Sequence, residues 1–241
     1  MPEKFLVCTD LDGTVLGDPE GEAAFRDWFD RVRSRIKLAY ITGRTLDSVR
    51  ALIGQGRLPE ADFAATEVGT AVCDLRDKAN RLGHHYLKLA DPTWPAQRFR
   101  DLCHAVDTPL QSPDDQGPYK ASFFWDGRVE SFALFQSRLA GQENYRVIAT
   151  ADSYLDILPR CYSKGQAVRF LMAACGADLR RTVVAGDMEH DLDMYDVAGH
   201  GIVPANARDK VKVALRETDA YFAKGNEGLG LVEGLARLGL I

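Results

Sequence analysis

Short apolar segments alternate with amphipathic segments in the first third of the chain. The run Phe5–Thr9 is apolar and short, which is typical of a buried strand. Between residues 23 and 32 the large apolar side chains recur three and four positions apart, so they share one face of a helix. Apolar runs at 38–42 and 62–66 flank a segment in which Thr45 can cap a further helix. This alternation predicts a parallel α/β sheet.

Between residues 84 and 159 the order of predicted elements changes, and prolines and aromatic residues become more frequent. The strands are predicted at His84–Leu89, Tyr119–Trp125, Tyr145–Ala149 and Tyr154–Leu158, and the helices at Pro95–Val106 and Glu130–Leu139. The stretch from Pro109 to Pro118 is rich in Pro, Asp and Gly and is predicted to be a loop. We interpret residues 84–159 as an inserted α+β domain, which is called the cap below.

The α/β alternation resumes at Ser163. A helix is predicted over Gly165–Cys175, where Gly176 ends it, and a strand over Thr182–Gly186. The last predicted elements are a strand at His200–Pro204, a helix near Arg208–Leu215 and the segment Gly228–Leu240. The predicted organisation is therefore one core, formed by residues 1–83 and 160–241, interrupted by the cap.

The composition is that of a folded globular protein, with 46% hydrophobic and 27% charged residues. Its 30 basic and 35 acidic residues give a formal net charge of −5, which disfavours nucleic acid and anionic membranes as partners. The N-terminal residues lead directly into the first strand, without the apolar stretch of a signal peptide or membrane helix. We therefore expect a cytoplasmic protein, a monomer or a weak dimer, whose partner is a small molecule.

Two acidic residues follow the first predicted strand. Asp10 and Asp12 are two positions apart, so in an extended segment their carboxylates point the same way. Gly13 then permits a sharp turn of the backbone. The carboxyl end of a strand is where an open α/β sheet binds its ligand, but two acids alone are equally compatible with a solvated loop.

Three later segments supply further parts of a site for a phosphate group. Thr42-Gly43-Arg44 offers a hydroxyl and backbone N–H groups ahead of a helix. Lys164 offers a positive charge at the start of another helix. The segment Gly186–Asp191 follows a strand and adds acids for a hard cation.

The four segments occur in the order and spacing that characterise one group of enzymes. They read Asp10-Leu-Asp12-Gly13-Thr14, Thr42-Gly43-Arg44, Lys164-Gly165 and Gly186-Asp187-Met-Glu-His-Asp191. This set resembles the motifs of haloacid dehalogenase superfamily phosphatases, and the cap between the second and third motifs resembles their Cof-like subgroup. Within it the similarity is greatest to sucrose-phosphate and mannosylfructose-phosphate phosphatases, supported by Thr66–Thr70 and Tyr154–Pro159. The resemblance implies a Rossmann-like core and Mg²⁺-dependent hydrolysis of a sugar phosphate monoester.

The resemblance also implies catalytic roles. Asp10 would attack phosphorus and form an aspartyl-phosphate. Asp12 would protonate the leaving sugar oxygen and later deprotonate the attacking water. Asp191 would orient Lys164 or a metal-bound water.

The binding residues are implied in the same way. The phosphoryl oxygens would be bound by Thr42, the amide of Gly43 and Lys164, with Arg44 lining the site. Mg²⁺ would be bound by Asp10, the backbone carbonyl of Asp12 and Asp187.

His190 departs from this pattern, because the fourth motif usually has Asn at that position. Imidazole is a nitrogen donor that suits manganese, cobalt or zinc better than magnesium. Two hypotheses follow. Either His190 turns aside or hydrogen-bonds a metal-bound water and leaves magnesium chemistry intact, or it lies close enough to the metal to change metal preference and add a pH dependence.

Other polar and aromatic residues are given simpler interpretations. Asp152 and Asp156 are predicted to be solvated or to cap loops. Trp94, Trp125 and the pair Phe123–Phe124 are predicted to fill the interior of the cap, with one of them available to stack on a sugar.

Two other functions stay open at this point. A phosphomannomutase-like phosphotransferase shares the cap type and the first motif. A catalytically silent binding domain shares the fold, although the intact Asp10, Asp12, Lys164 and Asp187 argue against it.

Overall fold

A computed structural model describes residues 4–90 and 92–240 of the chain. The strands of its larger sheet, called the large sheet below, are β1 Phe5–Thr9, β2 Ile36–Ile41, β3 Phe63–Thr66, β4 Ala71–Asp74, β8 Thr182–Ala185, β9 His200–Val203 and β10 Tyr221–Phe222. Their order in the sheet is β10-β9-β8-β1-β2-β3-β4. All neighbours pair in parallel except β3 and β4, which are antiparallel.

Helices cover both faces of the large sheet. They are α1 Pro19–Val32, α2 Leu46–Gly54, α3 Arg81–Tyr86, α6 Lys164–Cys175, α7 Leu192–Tyr195, α8 Asp209–Leu215 and α9 Glu227–Arg237. Val7 of β1 faces the cluster formed with α1, α2 and α9, whereas its neighbours Leu6 and Cys8 face α3, α6 and α7. This alternation leaves β1 buried on both sides, as a central parallel strand requires.

A second, smaller sheet has the order β5-β7-β6 and is antiparallel throughout. Its strands are β5 Ala121–Phe124, β6 Tyr145–Thr150 and β7 Tyr154–Pro159, and the helices α4 Ala96–Cys103 and α5 Val129–Arg138 accompany them. Phe123 and Leu155 pack with residues of α4 and α5 in one apolar cluster. The helices therefore cover one face of this small sheet and leave the other face toward the large sheet.

The strand predicted at His84–Leu89 is wrong, because this segment is helical. The side chain of Asn80 caps α3 by accepting a hydrogen bond from the N–H of Gly83. Tyr86 is fully buried against the large sheet, and its hydroxyl donates to the carbonyl of Gly69 at 2.7 Å. The alternating apolar pattern of a short strand is easily confused with one helical turn, and tertiary packing decides between them.

Most other elements lie within a few residues of their predicted positions. The strand Phe5–Thr9 has its predicted bounds. Helix α6 begins one residue early, where Ser163 caps it, and Gly176 ends it with a φ of 65°. The sequence did not predict β4, which is only four residues long. The division of the chain into a core and a cap stays a prediction.

None of the helices in the described residues is both long and apolar enough to cross a membrane.

We expect Gly69→Ala to destabilise the fold more than Gly56→Ala. Both glycines have positive φ, 84° and 70°, so an alanine at either position costs about 1–2 kcal/mol of backbone strain. A methyl group at Gly69 would also overlap the carbonyl of Ser163 and lie 2.8 Å from the N of Lys164, whereas a methyl group at Gly56 would meet no atom within 4 Å. The additional loss for Gly69→Ala should be at least about 2 kcal/mol.

Urea unfolding of the two variants and the wild type measures this difference. Equal urea midpoints for Gly69→Ala and Gly56→Ala would contradict this expectation. They would show that the segment at Ser163 moves away from the added methyl group without loss of stability.

Candidate active site

Three neighbouring strands bring polar residues to one edge of the large sheet. The strands β8, β1 and β2 are adjacent and parallel, so their carboxyl ends meet at the same edge. Asp187, Asp10 and Thr42 follow directly after these strands. The first, second and fourth sequence motifs therefore meet at the edge where open α/β sheets bind ligands.

Lys164 supplies the third motif from the first turn of α6 and is completely buried. Its Nζ donates to Asp10 Oδ1 at 2.7 Å and to Asp191 Oδ1 at 2.6 Å. Burial alone would lower the pKa of Lys164, but the two carboxylates outweigh burial and raise that pKa above its ordinary value. Lys164 is therefore a fixed positive charge that links the first motif to the fourth.

Asp191 holds the backbone of the fourth motif in place. Its Oδ2 accepts hydrogen bonds from the N–H groups of Asp187 and Met188, each at 3.0 Å. Burial would raise the pKa of Asp191, but the charge of Lys164 holds it below its ordinary value. The ionised Asp191 thus orients Lys164 and the peptide that carries Asp187.

Asp10 and Asp187 fit a divalent cation. They are 3% and 2% exposed. Burial raises the pKa of Asp10 well above its ordinary value, against the opposing charge of Lys164, and the charge of Asp187 adds to the rise. Burial likewise raises the pKa of Asp187 to about 7, with a further contribution from Asp191. When Asp10, Asp187 and Asp191 are all ionised, they leave two negative charges against the one ammonium of Lys164, and a hard cation with oxygen ligands would offset these charges.

The backbone of the first motif packs directly against the carboxylate of the fourth. Gly13 has a φ of 77°, and a methyl group there would overlap Asp187 Oδ2. The hydroxyl of Thr14 donates to Asp187 Oδ1 at 3.1 Å. Only glycine permits this close approach of the chain to Asp187.

A second group of ligand atoms lies beside Lys164. Donor atoms of Asp10, His190 and Asp191 lie within 4.8 Å of one another. However, the ammonium of Lys164 already binds two of these three residues, so a metal ion there would lie next to a buried positive charge. The electrostatics therefore favour Asp10 and Asp187 over this group.

Thr42 is completely buried at the end of β2. Its Oγ1 accepts a hydrogen bond from the N–H of Arg44 at 3.1 Å, so its hydroxyl hydrogen is available to a ligand. The helix α2 begins three residues beyond Gly43, with Thr45 as its cap. This turn presents donors toward the edge that carries Asp10.

Asp12 lies at the mouth of the site, where its side chain is 56% exposed. Arg44 binds it with two hydrogen bonds, from Nη2 to Oδ1 at 2.6 Å and from Nε to Oδ2 at 2.7 Å. Ser48 accepts a hydrogen bond from Nη1 of Arg44 at 3.0 Å. The side chain of Asp12 therefore points away from the buried network of Lys164 and toward Arg44.

His190 contacts the small sheet. Its Nδ1 lies 3.3 Å from the hydroxyl oxygen of Thr150 at the end of β6, and its Nε2 lies 3.6 Å from Asp191 Oδ1. Burial lowers the pKa of His190 to about 4, and the positive charge of Lys164 acts in the same direction. The ring is therefore neutral at neutral pH.

A group of ion pairs connects the turn between β6 and β7 with the large sheet. Asp152 accepts hydrogen bonds from Arg208 at 2.6 Å and from Lys210 at 3.1 Å. Glu189, just after β8, lies 3.6 Å from Arg208 and 3.7 Å from Lys210. No sequence pattern predicts these pairs, since their partners belong to different elements, and those of Asp152 are 56 and 58 positions away.

Two predictions for the cap are wrong. Asp156 is not solvated but 8% exposed within β7, where its Oδ1 accepts a hydrogen bond from the hydroxyl of Ser122. Phe124 is not part of the interior, since it is 43% exposed. Trp94 and Phe123 are buried as predicted. Neighbouring residues on a strand point to opposite faces, so Phe123 and Phe124 could not both be interior.

Comparison with known proteins supports one family. A model of the sucrose-6F-phosphate phosphohydrolase family matches residues 3–239. The mannosylfructose-phosphate phosphatase of Agrobacterium fabrum is 28% identical over 98% of this chain and 97% of its own length. A protein of Nitrosococcus oceani named as a HAD-like hydrolase is 32% identical over 98% of this chain and 72% of its own length.

The fold agrees with this assignment. The sucrose-phosphatase of Synechocystis, solved in complex with sucrose and phosphate, superposes with a TM-score of 0.87 at 23% identity over 98% of both chains. The resemblance predicted from the four motifs is thereby confirmed, and the chain belongs to the sucrose-6F-phosphate phosphohydrolase family of haloacid dehalogenase-type phosphatases.

Proposed function

We propose that this phosphoric monoester hydrolase uses Asp10 as nucleophile and Mg²⁺ as cofactor to remove the phosphate from a sugar phosphate. The observation that carries the proposal is the buried Lys164, which binds both Asp10 and Asp191. A fixed positive charge beside a buried carboxylate is suited to receiving the negative charge of a phosphate. In a solvated loop these three charged side chains would be exposed to water, not buried together.

The position of Lys164 determines how Asp10 reacts. Its bond fixes Oδ1 of Asp10, which leaves Oδ2 to attack phosphorus. The new bond joins Oδ2 to phosphorus while the bond from phosphorus to the sugar oxygen breaks. Water then attacks the phosphorus of the aspartyl-phosphate and regenerates Asp10.

Mg²⁺ held by Asp10, Asp187 and the backbone carbonyl of Asp12 would neutralise the repulsion between carboxylate and phosphate. The hydroxyl of Thr42, the amide of Gly43 and the ammonium of Lys164 would bind the phosphoryl oxygens. These donors are fixed by the fold before the substrate arrives, which lowers the cost of organising them.

Asp12 would transfer the proton to the leaving oxygen and later accept one from water. In the structure Arg44 donates a hydrogen bond to each oxygen of this carboxylate, so the carboxylate faces Arg44 rather than a substrate. The pair with Arg44 therefore has to open during the reaction. A negatively charged phosphate that attracts Arg44 would release Asp12 at the moment it is needed.

The substrate is proposed to be the phosphate ester of a disaccharide. Two relatives support this class, the mannosylfructose-phosphate phosphatase and the sucrose-phosphatase solved with sucrose and phosphate. The small sheet lies over the mouth of the site through Thr150 and Asp152, where it can contact the part of the substrate beyond the phosphate.

We expect a preference for disaccharide phosphates over a generic ester. Sucrose 6-phosphate or mannosylfructose phosphate should have a kcat/KM at least about tenfold above that of p-nitrophenyl phosphate. Initial rates of phosphate release with Mg²⁺ present and after chelation measure the preference and the need for a cation. Values within about threefold for all esters would indicate a generic phosphatase.

We expect Asp10→Asn to lower kcat by at least about a thousandfold without unfolding the protein, because an amide is nearly isosteric but a poor nucleophile. Asp47→Asn is the matched control, since the side chain of Asp47 is 96% exposed. In the wild type, borohydride reduction of a rapidly quenched reaction should convert the acyl phosphate at position 10 to homoserine, detectable by peptide mass.

A tenfold loss of kcat corresponds to only ~1.4 kcal/mol of activation free energy. If Asp10→Asn keeps more than about a tenth of the wild-type kcat, the assignment of Asp10 as the nucleophile is contradicted. Transfer of the phosphate to an added sugar rather than to water would support a phosphotransferase instead.

We expect His190→Asn to leave the order of preference among magnesium, manganese and cobalt unchanged. The ring contacts Thr150 and lies beside Lys164, which keeps cations away. Because its pKa is lowered to about 4, His190 gains a proton only well below neutral pH, so the acidic limb between about pH 5.5 and 8 should also be unchanged. Profiles of kcat/KM against pH with each metal, for the wild type and His190→Asn, test both expectations. A change in the metal order or in the acidic limb would indicate that His190 lies close to the metal.

A further inference from the structure

A further loop reaches the edge of the large sheet where the motif residues meet. Strand β9 lies beside β8 and runs parallel to it, so the residues after β9 lie at the same edge as those after β8, β1 and β2. These residues, 204–208, read Pro-Ala-Asn-Ala-Arg and are called the β9 loop below. None of the four sequence motifs includes them. The topology therefore places a loop without an assigned role next to the motifs.

The β9 loop is hydrogen-bonded to the two turns that carry the proposed magnesium ligands. Nδ2 of Asn206 donates to the carbonyl of Gly13 at 2.7 Å. The backbone N–H of Arg208 donates to the carbonyl of Asp187 at 3.0 Å. Gly13 follows Asp12 in the first motif, and Asp187 belongs to the fourth motif. One short loop thus contacts both turns.

The β9 loop is held in place by the rest of the core. The N–H of Ala205 donates to the carbonyl of Gly225 at 2.9 Å, and Nζ of Lys212 donates to the carbonyl of Ala205 at 2.6 Å. Ala207 is buried and packs with Val211 in an apolar cluster. Because the loop is fixed by these contacts, a hydrogen bond from it can fix the position of a second loop.

Asn206 also connects the first motif with the start of α9. Its Oδ1 accepts a hydrogen bond from the N–H of Glu227 at 2.7 Å. Glu227 has a φ of 46°, which is rare for a residue other than glycine, and a methyl group at Gly17 would overlap its side chain. Such strain persists only where the surrounding structure enforces it. The turn from Gly13 to Gly17 is therefore held at both ends by two residues that are bonded to each other.

The contacts of Asn206 bear on the arrangement of these segments more than on the stability of the fold. The residue is exposed, and substitutions of exposed side chains usually change stability little. Both partners of its amide are backbone groups, and they belong to separate segments of the chain. Asn206 thus constrains where the first motif lies relative to the β9 loop, and through that loop relative to the fourth motif.

The separation of the first and fourth motifs matters to a small cation. The proposed ligands are Asp10 and the carbonyl of Asp12 from one turn and Asp187 from the other. Mg²⁺ requires nearly octahedral ligands at about 2.0–2.1 Å, whereas Ca²⁺ accepts more variable arrangements at about 2.3–2.6 Å. A site built from two loops therefore favours the smaller ion only if the loops are held at a fixed separation.

We propose that Asn206 is a positioning residue that holds the first motif against the fourth and thereby confers selectivity for Mg²⁺ over larger divalent cations. The inference rests on the proposed function and deepens it, because it concerns a cation bound by Asp10 and Asp187. Asn206 acts through the carbonyl of Gly13 and not by contact with the ion.

The test measures the binding of Mg²⁺ and of Ca²⁺ to the full-length protein by calorimetry, without substrate. In Asn206→Ala the dissociation constant of Mg²⁺ should rise about 3- to 10-fold, the effect of one hydrogen bond, while that of Ca²⁺ changes less than about twofold. Asn226→Ala is the matched control and should change neither constant. Asn226 is also exposed, it precedes Glu227, and its side chain makes no capping hydrogen bond within the described part of the chain.

Asn206→Asp separates the two hydrogen bonds of the side chain. An ionised carboxylate still accepts from the N–H of Glu227 but cannot donate to the carbonyl of Gly13. Its added charge attracts both divalent cations alike, so the ratio of the two dissociation constants is the readout. This ratio should shift in favour of Ca²⁺, as in Asn206→Ala.

Hydrolysis of p-nitrophenyl phosphate provides a second readout. In Asn206→Ala the Mg²⁺ concentration that gives half the maximal rate should rise about 3- to 10-fold. At saturating Mg²⁺ the KM for the ester should change less than about twofold, because Thr42 and Lys164 are held by other segments. Urea midpoints measured without cation and equal to that of the wild type confirm that the variants are folded.

Two results would overturn the proposal. The first is an unchanged ratio of the two dissociation constants in both variants, whether both constants rise equally or neither changes. The second is a ratio that shifts in Asn206→Ala but not in Asn206→Asp, because the hydrogen bond to Gly13 would then not be responsible.

Failure of the proposed function gives a different result. In that case the wild type would bind neither cation, and hydrolysis of the ester would not depend on Mg²⁺. A wild type that binds Mg²⁺ and hydrolyses the ester, with variants that keep its preference for Mg²⁺ over Ca²⁺, would retain the function and reject Asn206 as a positioning residue.

Discussion

The burial of Lys164 between Asp10 and Asp191 is the interaction on which the rest of the site depends. Charged groups removed from water cost several kcal/mol each unless their partners are well placed. Here both carboxylates lie within 2.7 Å of the ammonium, and Asp191 is held in turn by two backbone N–H groups. Such an arrangement tolerates little displacement, so the loops that carry it have to be rigid.

The surrounding structure provides that rigidity by close backbone contacts. Gly69 packs against the start of α6, which fixes the position of Lys164. The N–H of Gly165 donates to the side chain of Asp193, which ties α6 to the segment after β8. Gly13 packs against Asp187 in the same way. The glycines therefore act by allowing chain segments to approach, and the charged network stays compact because of them.

The small sheet adds a second layer of charged contacts with a different character. The pairs of Asp152 with Arg208 and Lys210 lie at the surface, where each contributes little and salt weakens it. Lys120, by contrast, is buried, and its Nζ donates to the carbonyl of Gly43. The exposed pairs can therefore break and re-form at little cost, whereas the buried lysine is held in place by the residues packed around it.

The sequence by itself determined most strands of the large sheet and the edge at which the motif residues meet, because both depend on local patterns. Apolar runs predicted the strands, and the residues that follow parallel strands must meet at one edge, as Asp10, Thr42 and Asp187 do. Tertiary structure alone decided whether residues 84–89 are helical or extended, since the packing of Tyr86 selects the helix. It also decided the burial of Asp156 and Lys120, because their partners come from distant segments. The spacing of residues along the chain shows which of them share one helix or strand. Only the folded structure brings together charged side chains from different elements.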